Sequence, residues 1–501
     1  MKNRDYIFPS FFFIFFLFPI AILGIDFFDF KIIKKLFEVK TFNILINTTI
    51  QSSISVFVSL FIGIPIAIYL SKNQNILTKI TDSTIFIPFF FPSVATGIAI
   101  SQLLRGTNLS YSLFSIVLAH VFYNSPIIIK YLSESLRNID NDLVESAKID
   151  GAGRVRIFFS VIIFQIKDGL LRGVFLAFVY CFTSFAVILS VGNIAYSTFE
   201  TAIYTSMFAK FDIGEAFFYA LFQFTILSLI NILFFKKEII EIPKKYDNFV
   251  NKRMKFSFII FLIIFYIIFE YGIILNSFYN SLFNTISKSF DLTYFVKLFS
   301  IEFNSSFPII VSIMNSLILS FVVSCISIFI SIFALEKRGK LTDFAILLSF
   351  GISTTFIALM LYYLHIKFNI DLIILTIIGL SLISIPIAYS FMYDNYKNFD
   401  RNLVDLATLD SCNNLKTFIF IKFPIMKYTI ISTFFQVFTI IYGEFTLVFS
   451  MKIQKIFPLA SLTNYLISGK RLMMETNAFN ILNILVIILI FLISLRFKEK
   501  D

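Results

Sequence analysis

The sequence predicts an all-α polytopic membrane protein of about twelve transmembrane helices, arranged as two parallel six-helix repeats. Three observations carry that reading. The 501 residues are 58% hydrophobic and 15% charged, with a mean hydropathy of +0.87, more apolar surface than a soluble globule of this size can hide. Twelve stretches reach the roughly 20 apolar residues that a spanning helix needs. Two polar segments also repeat one another 260 residues apart: Leu143-Val144-Glu145-Ser146-Ala147-Lys148-Ile149-Asp150-Gly151-Ala152 and Leu403-Val404-Asp405-Leu406-Ala407-Thr408-Leu409-Asp410-Ser411-Cys412. An internal repeat of this kind sets the architecture ahead of other signals.

The apolar stretches are 6–24, 44–71, 80–104, 111–133, 169–192, 214–235, 256–279, 308–334, 341–364, 370–393, 427–449 and 478–496. Lys2 and Arg4 precede the first, as in a secretion signal, but no small-x-small cleavage site follows, so it is expected to stay as an uncleaved first span. An even count places both termini on one side, and the distribution of Lys and Arg chooses which. The N-terminus, 72–79, 130–172, 236–255, 337–340, 397–427 and the C-terminus together hold 29 of the 42. Both termini are therefore expected on the cytoplasmic face of a bacterial inner membrane, although 31–40 and 450–471 are basic against this assignment. The net charge of +11 then belongs to loops facing anionic lipid rather than to nucleic-acid binding. The 70 Phe with no Trp are read as the mark of an AT-rich genome, with apolar faces in lipid and the 22 Tyr forming the interfacial belts.

The polar segment at 236–255, with Pro243-Lys244-Lys245, is the natural join. It gives a first module at 1–240, a linker at 241–255 and a second module at 256–501. At the constant offset of 260, Pro126 pairs with Pro386, Asp140 with Asp400, Phe158 with Phe418, Phe185 with Phe445 and Ser190 with Ser450; upstream, Asn47 pairs with Asn315 at 268. Each half begins and ends inside, so the repeat is parallel. An inverted repeat would need an odd number of spans per half.

Within the repeated segment, Asp142 with Glu145 reads as a capping box, matched by Asn402 with Asp405. Leu143, Val144 and Ala147 share one helical face. Gly151 is suited to end the helix, since it tolerates a left-handed backbone. A second short helix is expected through Val155, Phe158, Phe159 and Ile162. The product is a helix-turn-helix at the membrane surface, too polar to cross.

These residues resemble the EAA loop of binding-protein-dependent ABC importer permeases: Glu-Ala-Ala, three residues, Gly, nine residues, Ile-x-Leu-Pro. Glu145, Ala147, Gly151 and Ala152 match, Ser146 replaces one Ala, Val161 and Ile163 take apolar places, and Phe164 replaces Pro. In the second copy Asp405 replaces Glu, Ala407 is kept, and Ser411 stands in the Gly place. There Ile421 and Pro424 are kept, and Phe423 takes the Leu place. Asp150 and Asp410 occupy matching positions before the turn. Ser does not favour the positive φ that Gly permits, which puts the second turn in question. Leu118-Ala119-His120-Val121-Phe122-Tyr123-Asn124-Ser125-Pro126, 182–192 and 198–204 are further similar to thiamine and ferric-iron permeases, families that fuse two modules in one chain.

The resemblance implies a permease subunit that is not itself an enzyme and carries no cofactor or metal. It implies two copies of a separate ATPase docking on the loops at 140–165 and 400–425, and a periplasmic or lipid-anchored binding protein delivering cargo, with ferric iron or thiamine ahead of polyamine. The sequence agrees on the division of labour: no GxxxxGK[ST] occurs, and Gly339-Lys340 and Gly469-Lys470 lack its remaining residues. Cys181, Cys325 and Cys412 have no paired spacing, and His120 and His365 are the only histidines, which argues against a disulfide framework or a zinc centre. His120 is expected to be a packed histidine bonded to a neighbouring helix, with a proton or ligand site as its other reading. Glu270 and Glu444 either line a path or pack at a boundary, since intramembrane charge must face protein or water. Pro65, Pro88, Pro92, Pro126 and Pro386 are candidate kinks. The alternative class is an ion- or proton-coupled secondary carrier. It predicts paired intramembrane charges, and the deep spans are nearly free of acids.

Overall fold

The computed structural model describes residues 7–27, 38–73, 91–235, 257–284, 288–336, 339–397, 399, 401–409 and 412–498, with positions 34, 78, 81, 82, 84, 85 and 88. The linker at 241–255 lies outside them. The described chain is all-α apart from a two-residue strand pair, Phe283–Asn284 with Ser289–Phe290. In chain order the principal helices are α1 (Phe8–Phe27), α2 (Val39–Lys72), α3 (Ser93–Leu103), α4 (Leu113–Arg137), α5 (Asn141–Ile149), α6 (Ile163–Phe182), α7 (Ala186–Val191), α8 (Phe199–Phe208), α9 (Ile213–Phe235) and α10 (Ser257–Leu282). After two short helices come α11 (Ile309–Glu336), α12 (Lys340–Ser349), α13 (Thr354–Phe368), α14 (Leu372–Lys397), α15 (Arg401–Leu409), α16 (Phe423–Tyr442), α17 (Thr446–Ser450), α18 (Ala460–Gly469) and α19 (Met473–Lys498).

Among the described residues, nine helices are long and apolar enough to cross a membrane: α1, α2, α4, α9, α10, α11, α14, α16 with its lead-in turn, and α19. Three of the twelve expected stretches differ. From 80–104 the described helix is Ser93–Leu103, beginning after Pro92, whose ring sets φ for a helix start and removes a donor that would be unpaired there anyway. The stretch 341–364 divides into α12 and α13, with the Ser353 hydroxyl accepting from Phe356 N at 3.1 Å to start α13. The stretch 169–192 also breaks. α6 starts earlier, carries Lys167, Asp168 and Arg172, and stops at Thr183 before α7 begins. Helical periodicity is continuous across these stretches; the caps that interrupt it are single residues.

The chain forms two compact units, neither contiguous in sequence: residues 30–205 with 221–283, and residues 1–29, 206–220 and 284–501. In the first unit, α10 packs with α2 and α3, and its Ile263 and Tyr266 join Ile66, Tyr69, Leu70, Ile129, Leu132 and Ile166 in one buried cluster. In the other unit, α1 packs with α11, α12 and α13. Phe16 sits edge-on to Phe356 at 5.8 Å, and Asp26 accepts from Tyr363 at 2.5 Å and pairs with Lys367. The opening helix of each sequence half thus belongs to the compact unit built mainly from the other half.

Secondary structure repeats at the sequence offset. A helical turn at Arg154–Ile157, a π turn at Phe158–Ile162 and α6 match a turn at Asn414–Thr417, a π turn at Phe418–Lys422 and α16, each 260 residues on. Asn47 Nδ2 donates to Ala195 O at 2.8 Å, and Asn315 Nδ2 to Pro458 O at 3.0 Å. The neighbouring hydroxyls act alike: Thr48 accepts from Phe199 N at 3.3 Å and Ser316 from Ala460 N at 2.9 Å. In each unit the hydroxyl of a long helix satisfies a buried backbone N–H at the start of a later one, which matters where no bulk water can do so. Pro65, Pro126 and Pro386 lie inside α2, α4 and α14.

Candidate functional site

The repeated polar segments form two short exposed helices, α5 and α15. α5 starts two residues earlier than the Asp142–Glu145 capping box predicts. Asp140 is the N-cap, its Oδ1 accepting from Asp142 N at 2.9 Å, because a cap side chain reaches the N–H groups of the first turn and Asp142 already lies within that turn. The Asp140 amide in turn donates to Gln165 Oε1 on α6 at 2.7 Å. That bond fastens the start of the loop to the helix that follows it, and sequence periodicity gave no signal for it.

The end of α5 fits the expectation for Gly151. Its φ is +76°, Gly151 N donates to Lys148 O and Ala152 N to Ala147 O, both at 3.0 Å. This paired closure is the Schellman arrangement, and it needs a left-handed residue at the glycine position. In the second copy Asp410 and Ser411 lie outside the described residues. The flanking bond is present nonetheless, with Cys412 N donating to Ala407 O at 3.0 Å. Asn413 then accepts from Lys416 N at 2.9 Å to begin the next turn.

Glu145 and Asp150 are exposed on α5, while Ala147 and Ala152 are half-buried. Ala407 is buried, and the side chain of Asp405 lies outside the description. Pro424 sits exposed at the second residue of α16, directly after the π turn. Between 140 and 150, Asp140, Asp142, Glu145 and Asp150 face only Lys148 in charge. Ile149 and its counterpart Leu409 are the most exposed apolar residues of the two helices, at 86% and 79%. Beside the first loop, Gly153, Val155, Arg156, Phe159, Ser160 and Phe164 line an open, mostly apolar hollow of about 700 Å³. Each loop therefore offers apolar tips on a short helix, and the first adds an acidic rim, a combination suited to a partner's cleft.

The expected second short helix is not separate. Its first turn runs through a π turn directly into α6, and the second copy does the same into α16. α6 in turn lies hard against α4, the helix that enters the loop. A Cβ on Gly173 would meet Ile128 Cα at 3.3 Å and Tyr131 Cβ at 3.4 Å, and one on Gly169 would overlap Ser135. Small residues four apart let membrane helices approach closely; the Gly169-x-x-x-Gly173 spacing was readable in the sequence but lay in the polar end of a span.

The remaining candidates sort by their partners. His120 is buried and its Nδ1 lies 3.1 Å from Ser55 Oγ on α2, as the packed-histidine reading expects. Glu444 follows α16 and accepts from Leu447 N at 3.0 Å, capping α17. Glu270 is buried on α10, accepting from Ser125 at 3.3 Å. Among the described residues no group of three His, Cys, Asp or Glu side chains could hold a metal ion.

Residues 59–237 match the family described as binding-protein-dependent transport system inner membrane component. The chain is 25% identical over 215 residues to the transport system permease protein NifC of Clostridium pasteurianum, covering 40% of this chain and 75% of that one. It is 32% identical over 118 residues to the thiamine transport system permease protein ThiP of Haemophilus influenzae, covering 23% of this chain and 21% of that one. It is 25% identical over 183 residues to the molybdenum transport system permease protein ModB of Azotobacter vinelandii, covering 34% of this chain and 79% of that one. These relatives are transport permeases rather than enzymes. Residues 59–237 therefore carry the membrane domain of the binding-protein-dependent ABC importers, and the chain as a whole is an all-α polytopic membrane protein similar to their permeases.

Proposed function

We propose that the chain is a fused pair of permease modules, 1–240 and 256–501, which forms the translocation path of an ATP-driven importer and couples it to a separate ATPase through the loops at 140–165 and 400–425. The observation that carries this is the shared turn closure, Ala152 to Ala147 and Cys412 to Ala407, on two exposed short helices 260 residues apart. A capped helix closed by a tight turn onto a second helical segment, which itself runs without a break into a long membrane helix, is a stiff lever. Its motion, driven by closure of two ATPase copies on ATP, reaches the bundle through α6 and α16. The membrane is the bacterial inner membrane with both termini cytoplasmic, and a periplasmic or lipid-anchored binding protein supplies cargo. ATP is bound by the partner, and this chain needs no cofactor of its own.

For cargo, thiamine stands ahead of ferric iron, supported by the relative named for thiamine transport. The test of coupling is co-purification of the ATPase with the intact chain and with a Glu145→Lys, Asp405→Lys double variant. Retention by the first and loss by the second is expected; no association with either form defeats the coupling reading and favours an ion- or proton-coupled carrier. For cargo, proteoliposomes holding the full complex are offered radiolabelled thiamine, then ferric iron. ATP-dependent uptake of iron and not thiamine reverses the order.

A further inference from the structure

The two halves differ where three helices cross. In the first unit, α2, α4 and α6 meet at Gln51, Ser55, Ser59, His120, Asn124 and Cys181, each nearly or fully buried. Ser55 Oγ lies 3.1 Å from His120 Nδ1, Asn124 Nδ2 donates to Cys181 Sγ at 3.1 Å, and the thiol also touches Ser55. Five polar atoms of this set have no hydrogen-bond partner among the described residues: both amide atoms of Gln51, Ser59 Oγ, His120 Nε2 and Asn124 Oδ1. Leaving such groups unpaired in a membrane interior is costly.

The second half supplies an internal comparison. The offsets place Leu319, Val323, Leu380 and Ile441 at the positions of Gln51, Ser55, His120 and Cys181, all four buried. At the positions of Ser59 and Asn124, Ser327 and Ser384 pair with each other at 2.6 Å. At these six positions the second half thus has four apolar side chains and one self-satisfied pair; beside them Ser324, the counterpart of Val56, is buried with no partner for its hydroxyl among the described residues. The fold does not need the polar set, so the first half keeps it at a cost.

We infer that this crossing in the first half is an internal binding site for water, one to a few molecules held by the Gln51 and Asn124 amides, Ser59 and His120 Nε2. Two to four polar partners around each molecule is the environment buried water occupies. α4 and α6 are the helices on either side of the first loop, and their mutual contact here runs through Asn124 and Cys181. Water-bridged bonds exchange partners without a dry cavity opening, so α4 and α6 can shift on α2 in the first half more readily than their counterparts in the second, whose joint has fewer unpartnered polar groups among the described residues. This mechanical part rests on the coupling reading; the site itself does not.

The test is hydroxyl-radical footprinting of the full chain in lipid nanodiscs, with each rate normalised to that of the same residue in the unfolded chain. Cys181 is fully buried, as are Met360 and Met392 in the second half. Oxidation of Cys181 several-fold faster than either methionine is expected; protection equal to theirs overturns the site. A variant carrying the second half's residues, Gln51→Leu, Ser55→Val, His120→Leu, Asn124→Ser and Cys181→Ile, is expected to melt no lower than the parent. With the water-filled site gone, its Cys-free crossing leaves binding-protein-stimulated ATP turnover reduced although the untouched loops still capture the ATPase. A lower melting temperature shows the polar set is structural and overturns the inference. Unchanged turnover with captured ATPase removes its mechanical part. Failure of the parent itself to capture an ATPase defeats the coupling reading alone and leaves the footprint to decide the site.

Discussion

Replacing Gly151 by alanine isolates one term of the loop's energy. Nothing lies within 4 Å of where the new Cβ would stand, so no contact is lost or gained. What changes is the backbone: at φ +76° an L-residue crowds its own carbonyl, at a cost of about 1–2 kcal/mol. Spread over the turn equilibrium, that is a roughly 5- to 30-fold loss of the closed form. Gly153 is the control, since a Cβ there also meets nothing and its φ is not in the left-handed region. Two assays read the effect. Hydrogen exchange at the Ala152 amide, which donates to Ala147 O, accelerates in Gly151→Ala and not in Gly153→Ala. The affinity of the detergent-solubilised chain for its ATPase falls by a factor within the same range. Gly151→Asn, which tolerates the left-handed region better, recovers part of both. Equal behaviour of the Gly151→Ala and Gly153→Ala variants refutes the argument that this turn presents the lever.

Other perturbations separate packing from capping. Gly173→Leu drives a side chain into the Ile128 backbone, which cannot yield as a side chain would, and should cost about 1–3 kcal/mol or more, seen as a lower melting temperature in detergent. Asp140→Ala removes the cap on Asp142 N for about 1 kcal/mol; faster exchange confined to the first turn of α5 is the expected result, and global destabilisation contradicts it. Asn315→Ala deletes a bond to the distant Pro458 carbonyl, and Asn47→Ala one to Ala195 O with a longer one to Ser197 O at 3.5 Å; each should lower stability by a similar amount, about 1 kcal/mol, and a large difference between them shows that the two halves do not use the contact alike. Lys130→Ala breaks a half-exposed pair with Glu134 at 2.9 Å and should leave the melting temperature within error, since such pairs contribute about 0.3–0.5 kcal/mol.

Much of this molecule was legible as a one-dimensional pattern. Apolar runs announce membrane helices because lipid rewards them whatever their neighbours are, and the duplication of 143–152 at 403–412 needed only comparison of the chain with itself. Gly151 was readable for a similar reason: the demand for a positive φ is local. The capping residue was misplaced by two positions because several acids compete for the role, and the choice depends on where the preceding helix stops. The long stretches at 80–104, 169–192 and 341–364 looked like single spans because hydropathy averages over 20 residues while Pro92, Thr183 and Ser353 act singly.

The sequence by itself determined the class, the repeat and the positions of both loops, since each follows from composition or from local backbone preference. Only the tertiary structure decided which helices share a compact unit, with α1 in the unit of 284–501 and α10 in that of 30–205, because every apolar helix in lipid offers its neighbours much the same surface. It alone also decided that Gln165 holds the start of the first loop, and that Ser55, His120, Asn124 and Cys181 meet. Those encounters join residues up to 126 positions apart, and hydrogen bonds over that separation depend on helix rotation and register, which hydropathy does not encode.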